Sequence, residues 1–236
     1  NEDNVSWRAG LDWSPNPNVL LYANVSQGFK AGSFPTISAS ARSQLLPPTQ
    51  EEVLAYEVGF KSTLLDNTLQ LNGAIFQYDY TDKQVLGQVE DPVFSTLLRL
   101  INIPESDVLG AELDALWVPV EGLTLKGGVS YIDSEIGDFT GFGPFGDPTD
   151  FSGEPFPQTP EWHFVGDANY EWDVSPSLKG FAGGGITYQS STNNSLGQEP
   201  ILEINERTLV DLRAGIAASD DKWRLSVWVQ NVTAQY

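Results

Sequence analysis

Few residues in this chain could perform covalent chemistry. The 236 residues hold one histidine, His163, and neither cysteine nor methionine. Zinc sites gather several Cys and His ligands, so a lone imidazole predicts no metal centre, and no cofactor is expected. A Ser–His–Asp relay could recruit His163, but the G-x-S-x-G turn that exposes a serine nucleophile is missing. No catalytic residue is therefore assigned. The second candidate is the stretch GDFTGFGPFGDPTDFSGEPF, Gly137 to Phe156. Asp138, Asp147, Asp150 and Glu154 could hold a calcium ion, although their spacing fits no EF-hand loop. Phe139, Phe142, Phe145 and Phe151 are spaced by glycine and proline. Exposed on a loop, such rings could clasp an apolar or aromatic small molecule, and His163 could join them. An ordinary surface loop is the other reading.

The whole chain bounds what could position these groups. A net charge of −20 leaves no basic stripe for phosphates, which argues against nucleic acid as a partner. No apolar run is long enough for a transmembrane helix. Yet 27 aromatic residues (7 Trp, 8 Tyr, 12 Phe) sit in a chain with only 19% charged residues. A membrane β-barrel has this profile, because each strand is apolar on one face only.

Period-2 alternation recurs about ten times. Trp7, Ala9, Leu11 and Trp13 alternate with Arg8 and Asp12; Leu54, Tyr56, Val58 and Phe60 with Glu57 and Lys61; Leu109, Ala111, Leu113 and Trp117 with Glu112 and Asp114. Similar sets occur in 19–28, 123–133, 161–172, 178–189, 208–217 and 223–232. In 68–80, Leu69, Leu71 and Ile75 share one parity, whereas Phe76, Tyr78 and Tyr80 take the other, which leaves its register open. Connections alternate in length. Short turns fall at 14–18, 66–67, 119–122, 173–176 and 219–222, and long segments at 29–52, 81–107, 134–160 and 190–207. Transmembrane barrels have short periplasmic turns and long extracellular loops. Trp and Tyr also fall near strand ends, as expected at a membrane interface. The fold class predicted is all-β: an antiparallel transmembrane β-barrel section of about ten strands, spanning residues 1–236. A soluble sandwich or propeller is the alternative, but its strands are shorter and its loops do not alternate in this way.

If the apolar face meets lipid, the opposite face lines a bore. The residues expected on that wall are Arg8, Glu57, Lys61, Glu112, Asp114, Lys126, Asp167, Asp211, Arg213 and Arg224, with His163 near its outer end. Each could be an ion-paired wall residue or a ligand contact. Both chain ends would lie on the long-loop side, unlike a complete bacterial barrel, so the chain reads as an internal section of a larger one.

The stretch LLYANVSQGFKAGSFP, with Ser26, Gly28, Phe29, Lys30, Gly32 and Phe34, resembles a strand and loop of TonB-dependent outer-membrane receptors. So does the hairpin carrying Tyr56-Glu57-Val58-Gly59-Phe60-Lys61, the turn Asp66-Asn67 and Tyr78-Asp79-Tyr80. NIPESDVLGAELDALWVPVEGLTLKGGVSY, FPQTPEWHFVGDANYEW and WRLSVWVQNVTAQY are similar to further segments, in the same order. The resemblance implies a Gram-negative outer-membrane location in contact with lipid, and import of a scarce small-molecule ligand such as an iron–siderophore complex. It further implies a TonB-type energy transducer acting through a plug domain. No plug, TonB box or final strand is recognised here. A passive porin-like channel and a soluble carbohydrate-binding β-protein are the competing functions.

Overall fold

The computed structural model describes residues 4–33, 47–91 and 95–235. Phe34 and the terminal Tyr236 of the motifs above lie outside them. The elements are β1 (Trp7–Asn16), β2 (Val19–Lys30), β3 (Glu51–Leu64), β4 (Leu69–Asp91), β5 (Ser95–Val120), β6 (Leu123–Ile136), β7 (Thr140–Phe142), β8 (Pro148–Asp150), β9 (Trp162–Ser175), β10 (Leu178–Gln189), β11 (Thr192–Asn193), β12 (Glu203–Ile204), β13 (Arg207–Ala218) and β14 (Arg224–Val229). Ten form one antiparallel path, β1-β2-β3-β4-β5-β6-β9-β10-β13-β14. β7 joins β4 and β8 at one end, and β11 pairs with β12 apart from the sheet. Among the described residues the sheet does not close on itself.

Residues directly opposed in an antiparallel pair share a face, so the register shows what each side carries. One transverse row reads Leu11, Ala23, Val58, Ile75, Ala111, Tyr131 and Trp162. Another reads Trp13, Leu21, Phe60, Gly73, Leu113, Val129, Phe164 and Tyr188. Among the described residues no second β-layer covers these rows: Leu11, Val58 and Val227 are 72%, 54% and 69% exposed. A soluble sandwich would bury them.

The ambiguous strand keeps one register. β4 pairs with β5 without a slip from Leu69↔Trp117 to Thr81↔Glu105. Phe76, Tyr78 and Tyr80 therefore stand on the polar face, opposite Gly110, Val108 and Ser106. Gly110 makes this feasible, since a Cβ there would lie 2.2 Å from Phe76 Cζ.

The segment 81–107, expected as a loop, is mostly strand. Beyond Asp82, whose φ is +54°, β4 and β5 continue pairing from Lys83↔Ile103 to Asp91↔Ser95. Val85, Val89, Ile101 and Ile103 have the branching that suits a pleated ladder, which outweighs the loop signal of Gly87. The expected loop 134–160 likewise contains the short hairpin β7–β8.

The membrane-crossing height follows from the apolar face. Trp162 and Trp172 bracket β9 on that face. On β5, the interval from Trp117 outward to Asp107 has the same ten-residue span. Ten steps of about 3.4 Å, tilted by about 40°, rise roughly 26 Å, close to the apolar band of a barrel at about 25 Å. At the outer limit the same parity becomes acidic: Asp79, Asp107 and Glu135 form a row. The described residues beyond it, including Lys83 and the segments 137–156 and 194–199, project out of the band.

The only large cluster of buried side chains among the described residues straddles that limit and extends into the projection. Ile103, Val108, Ile136, Phe151, Phe156 and Leu196 form it, with Phe76, Tyr78, Tyr80 and Phe139 packed alongside.

Candidate ligand-binding mouth and bore wall

The outer cluster joins three chain segments over the polar face. Phe151 is 1% exposed and stacks on Phe139 at 5.8 Å. Leu196, from the loop before β12, is buried against them. Glu154 accepts the Gly197 N–H at 2.9 Å, and Gln158 donates to Asn194 at 3.0 Å, so the two loops are tied by polar bonds as well. Burial pushes the Glu154 carboxyl above the ordinary carboxylate range, against the opposing pull of the Gly197 N–H. Gln84, itself buried, donates to Ala31 and Thr49 carbonyls at 3.1 and 3.0 Å, which holds the chain just after β2 and just before β3 against the projecting hairpin.

This packing changes the reading of the phenylalanines. Phe151 is sealed inside the loop core and Phe139 is half-buried against it, because the loop folds back on the projecting β4–β5 hairpin. They are not exposed rings. Phe142 is half-buried where β7 meets Gln88 of β4, and Phe145 is exposed. His163 is half-buried on the polar face, opposite Ser130 and Gln189.

Sequence reasoning missed Lys83. Its ammonium lies 3.7 Å from the Tyr80 ring centroid and 4.5 Å from that of Phe156. Burial holds its pKa below the ordinary lysine range, partly offset by the Glu51 carboxylate. The signal available was weak: a lysine three residues after Tyr80, within a segment read as loop. Leu196 was missed because nothing local marks a loop leucine as core.

Lower on the polar face, all ten wall residues expected from parity share one side of the sheet. Arg213 forks onto Asp167 across β10, with Nη1–Oδ2 at 2.6 Å and Nη2–Oδ1 at 2.8 Å. Gly183 gives the guanidinium room: a Cβ there would lie 2.8 Å from Arg213 Nη2. Arg224 lies 3.6 Å from Glu171 and 3.5 Å over the Phe181 ring. Asn72 donates to Asp114 at 2.9 Å. A recess of about 500 Å³ beside this network includes Lys126, Asp167, Gly185 and Asp211. A second recess of about 230 Å³ lies between Arg8 and Tyr78. At the outer end of the sheet a polar cavity of about 550 Å³ is lined by Asp133, Glu135, Glu161 and Glu203, among others. No group of three or more His, Cys, Asp or Glu residues among the described residues has a metal-binding arrangement.

Residues 1–232 match the family described as TonB dependent receptor-like, beta-barrel. This chain belongs to the TonB-dependent receptor family. The chain is part of a Gram-negative outer-membrane β-barrel. The family consists of transport receptors, not enzymes. Over 172 residues the chain is 30% identical to the probable TonB-dependent siderophore receptor PiuA of Acinetobacter baumannii, covering 68% of this chain and 22% of that protein. The fold is similar to the ferric yersiniabactin uptake receptor FyuA of Yersinia pestis, with TM-score 0.75 and 20% identity. It is also similar to the solved structure of PiuA, with TM-score 0.71 and 22% identity. Each of these alignments covers 98% of this chain and 32% of the solved one. The chain thus spans about a third of those receptors.

Proposed function

We propose that residues 1–236 form part of the barrel domain of an active-transport receptor that imports a scarce metal chelate, such as an iron–siderophore complex. The observation that carries this reading is the mouth. Two long loops and the β4–β5 projection fold together over the bore side, held by buried side chains and interloop hydrogen bonds. Such pre-organised loops bind a bulky ligand without a large ordering cost. Membership of the receptor family and the siderophore named for the relative support the same reading. In this proposal Phe142 and Phe145 offer rings to the ligand, while Phe139 and Phe151 hold the loop in shape. His163 and the charged wall line the path inward. Energy would come from a TonB-type transducer acting through a plug domain.

The test is a full-length receptor in which Gly137–Phe156 is replaced by a short Gly-Ser linker. Barrel assembly, read as a heat-dependent gel shift, should persist. Growth on ferric siderophores under iron limitation should be lost. Assembly with undiminished growth on every chelate supplied would reject the role of this mouth.

A further inference from the structure

The polar face holds a recess with two chemically different walls. The transverse row Arg8, Ser26, Ala55 and Tyr78 crosses four adjacent strands. Arg8 and Tyr78 are thus three strand spacings apart, about 14 Å between backbones. Only small side chains stand between them. The next row outward adds Val53 and Tyr80, and the next inward adds Asn24 and Glu57. The recess left by these residues measures about 230 Å³. A cavity of about 150 Å³ already holds a benzene molecule, so this one has room for a ring with its oxygen substituents.

Its polar groups favour an acceptor. Glu57 is the one carboxylate of the lining and Arg8 its one guanidinium. Arg8 is in none of the ion pairs found among the described residues, such as Lys30–Glu51, Arg213–Asp167 and Arg224–Glu171. The amide nitrogen of Asn24 is enclosed and has no hydrogen-bond partner. Arg8 and the Asn24 amide nitrogen are donors, and the Ser26, Tyr78 and Tyr80 hydroxyls of the lining can donate as well as accept. The opposite wall is aromatic and continuous with the mouth: Phe76 stacks on Tyr78 at 4.8 Å, Tyr78 meets Tyr80 at 6.5 Å, and Tyr80 meets Phe156 at 6.3 Å.

We propose that this recess is a second binding station, below the mouth, for one planar aromatic ring bearing an anionic oxygen, a phenolate or a carboxylate. The ring lies against Tyr78 and Tyr80, where offset or edge contacts are favourable. Its oxygen faces the Arg8 guanidinium, a charge-assisted contact stronger than a neutral one. The station rests on the uptake reading above and deepens it, because it selects chelates whose arms are aromatic acids. The ladder from Phe156 to Tyr78 would pass such an arm from the loops to the wall.

The experiment uses the full-length receptor in detergent, with salicylate as the probe and cyclohexanecarboxylate as a non-aromatic control. Calorimetry or saturation-transfer NMR reads binding, and the heat-dependent gel shift verifies assembly of every variant. Salicylate should bind at least about tenfold tighter than the control, and Arg8→Gln should weaken it by about tenfold. Tyr78→Leu should do the same, while Tyr78→Phe, which keeps the ring, should bind like the unmodified receptor. Salicylate affinity unchanged in Arg8→Gln or Tyr78→Leu overturns the station. So does an unmodified receptor that binds no salicylate, the result expected if a plug side chain fills the recess. The two readings fail separately. Chelate-dependent growth with wall variants that bind salicylate normally removes the station alone. Salicylate binding that depends on Arg8 and Tyr78, in a receptor that supports no growth on any chelate, removes the uptake reading alone.

Discussion

Replacing Phe151 with alanine should loosen two loops at once. Phe151 is 1% exposed, stacks on Phe139, and lies in the cluster that contains Leu196 of the other loop. Truncating a buried phenylalanine to alanine costs about 3–5 kcal/mol, the transfer free energy plus the cavity left behind. At about 1.4 kcal/mol per tenfold, amide exchange governed by opening of this cluster should accelerate by roughly two to three and a half decades. The gain is capped by the stability the loops start with, because local opening cannot fall below zero cost. Hydrogen exchange read by mass spectrometry on the full-length receptor should show faster exchange in peptides covering 137–156. Peptides covering 194–199 should follow, since Leu196 and the Gly197 N–H, bonded to Glu154, belong to the same body. Exchange across the membrane-crossing part of β9 should be unaffected. The reasoning fails if 194–199 keeps its protection while 137–156 loses it, for then the loops are independent.

Two further outcomes follow from the same geometry. Burial raises the Glu154 pKa in the folded loops, so the folded state holds this proton more tightly than the open state. Its contribution is therefore fully present below the unfolded pKa and is lost as pH rises through the folded value. Exchange in 194–199, corrected for intrinsic rates, should show protection falling as pH rises from about 4 toward neutrality. Glu154→Gln, which keeps a carbonyl acceptor for Gly197, should remove that dependence and protect the loop at neutral pH; a dependence that persists in Glu154→Gln would assign it to another group. On the two faces of β5, Leu113→Arg should destabilise the barrel by about 2–4 kcal/mol in urea-induced unfolding in lipid. Asp114→Asn, one residue along and facing the bore, should change it by less than about 1 kcal/mol, and equal effects would contradict the assigned faces.

The alternation in the sequence was enough to assign the two faces of the sheet, because side chains in a strand point to opposite sides with a period of two and strands pair in register. Trp7 and Leu11 against Arg8, or Leu113 against Asp114, needed no long-range information. Turn residues such as Asp66-Asn67, and the alternation of short and long connections, marked the hairpins. The sequence was silent where neighbours distant along the chain decide. Phe76, Tyr78 and Tyr80 break the local parity pattern, and only pairing with Gly110 and packing beneath Phe156 show that they stand on the bore side without a register slip. Residues 83–103 read as loop because β-pairing depends on the partner strand, which local composition does not reveal. The loop phenylalanines looked alike in sequence. Phe151 became core and Phe145 surface because Leu196, Ile103 and Ile136 converge on one ring and not on the other. Lys83 acquired its place between two rings, and Arg8 its position across three strands from Tyr78, only when the sheet brought separate segments side by side.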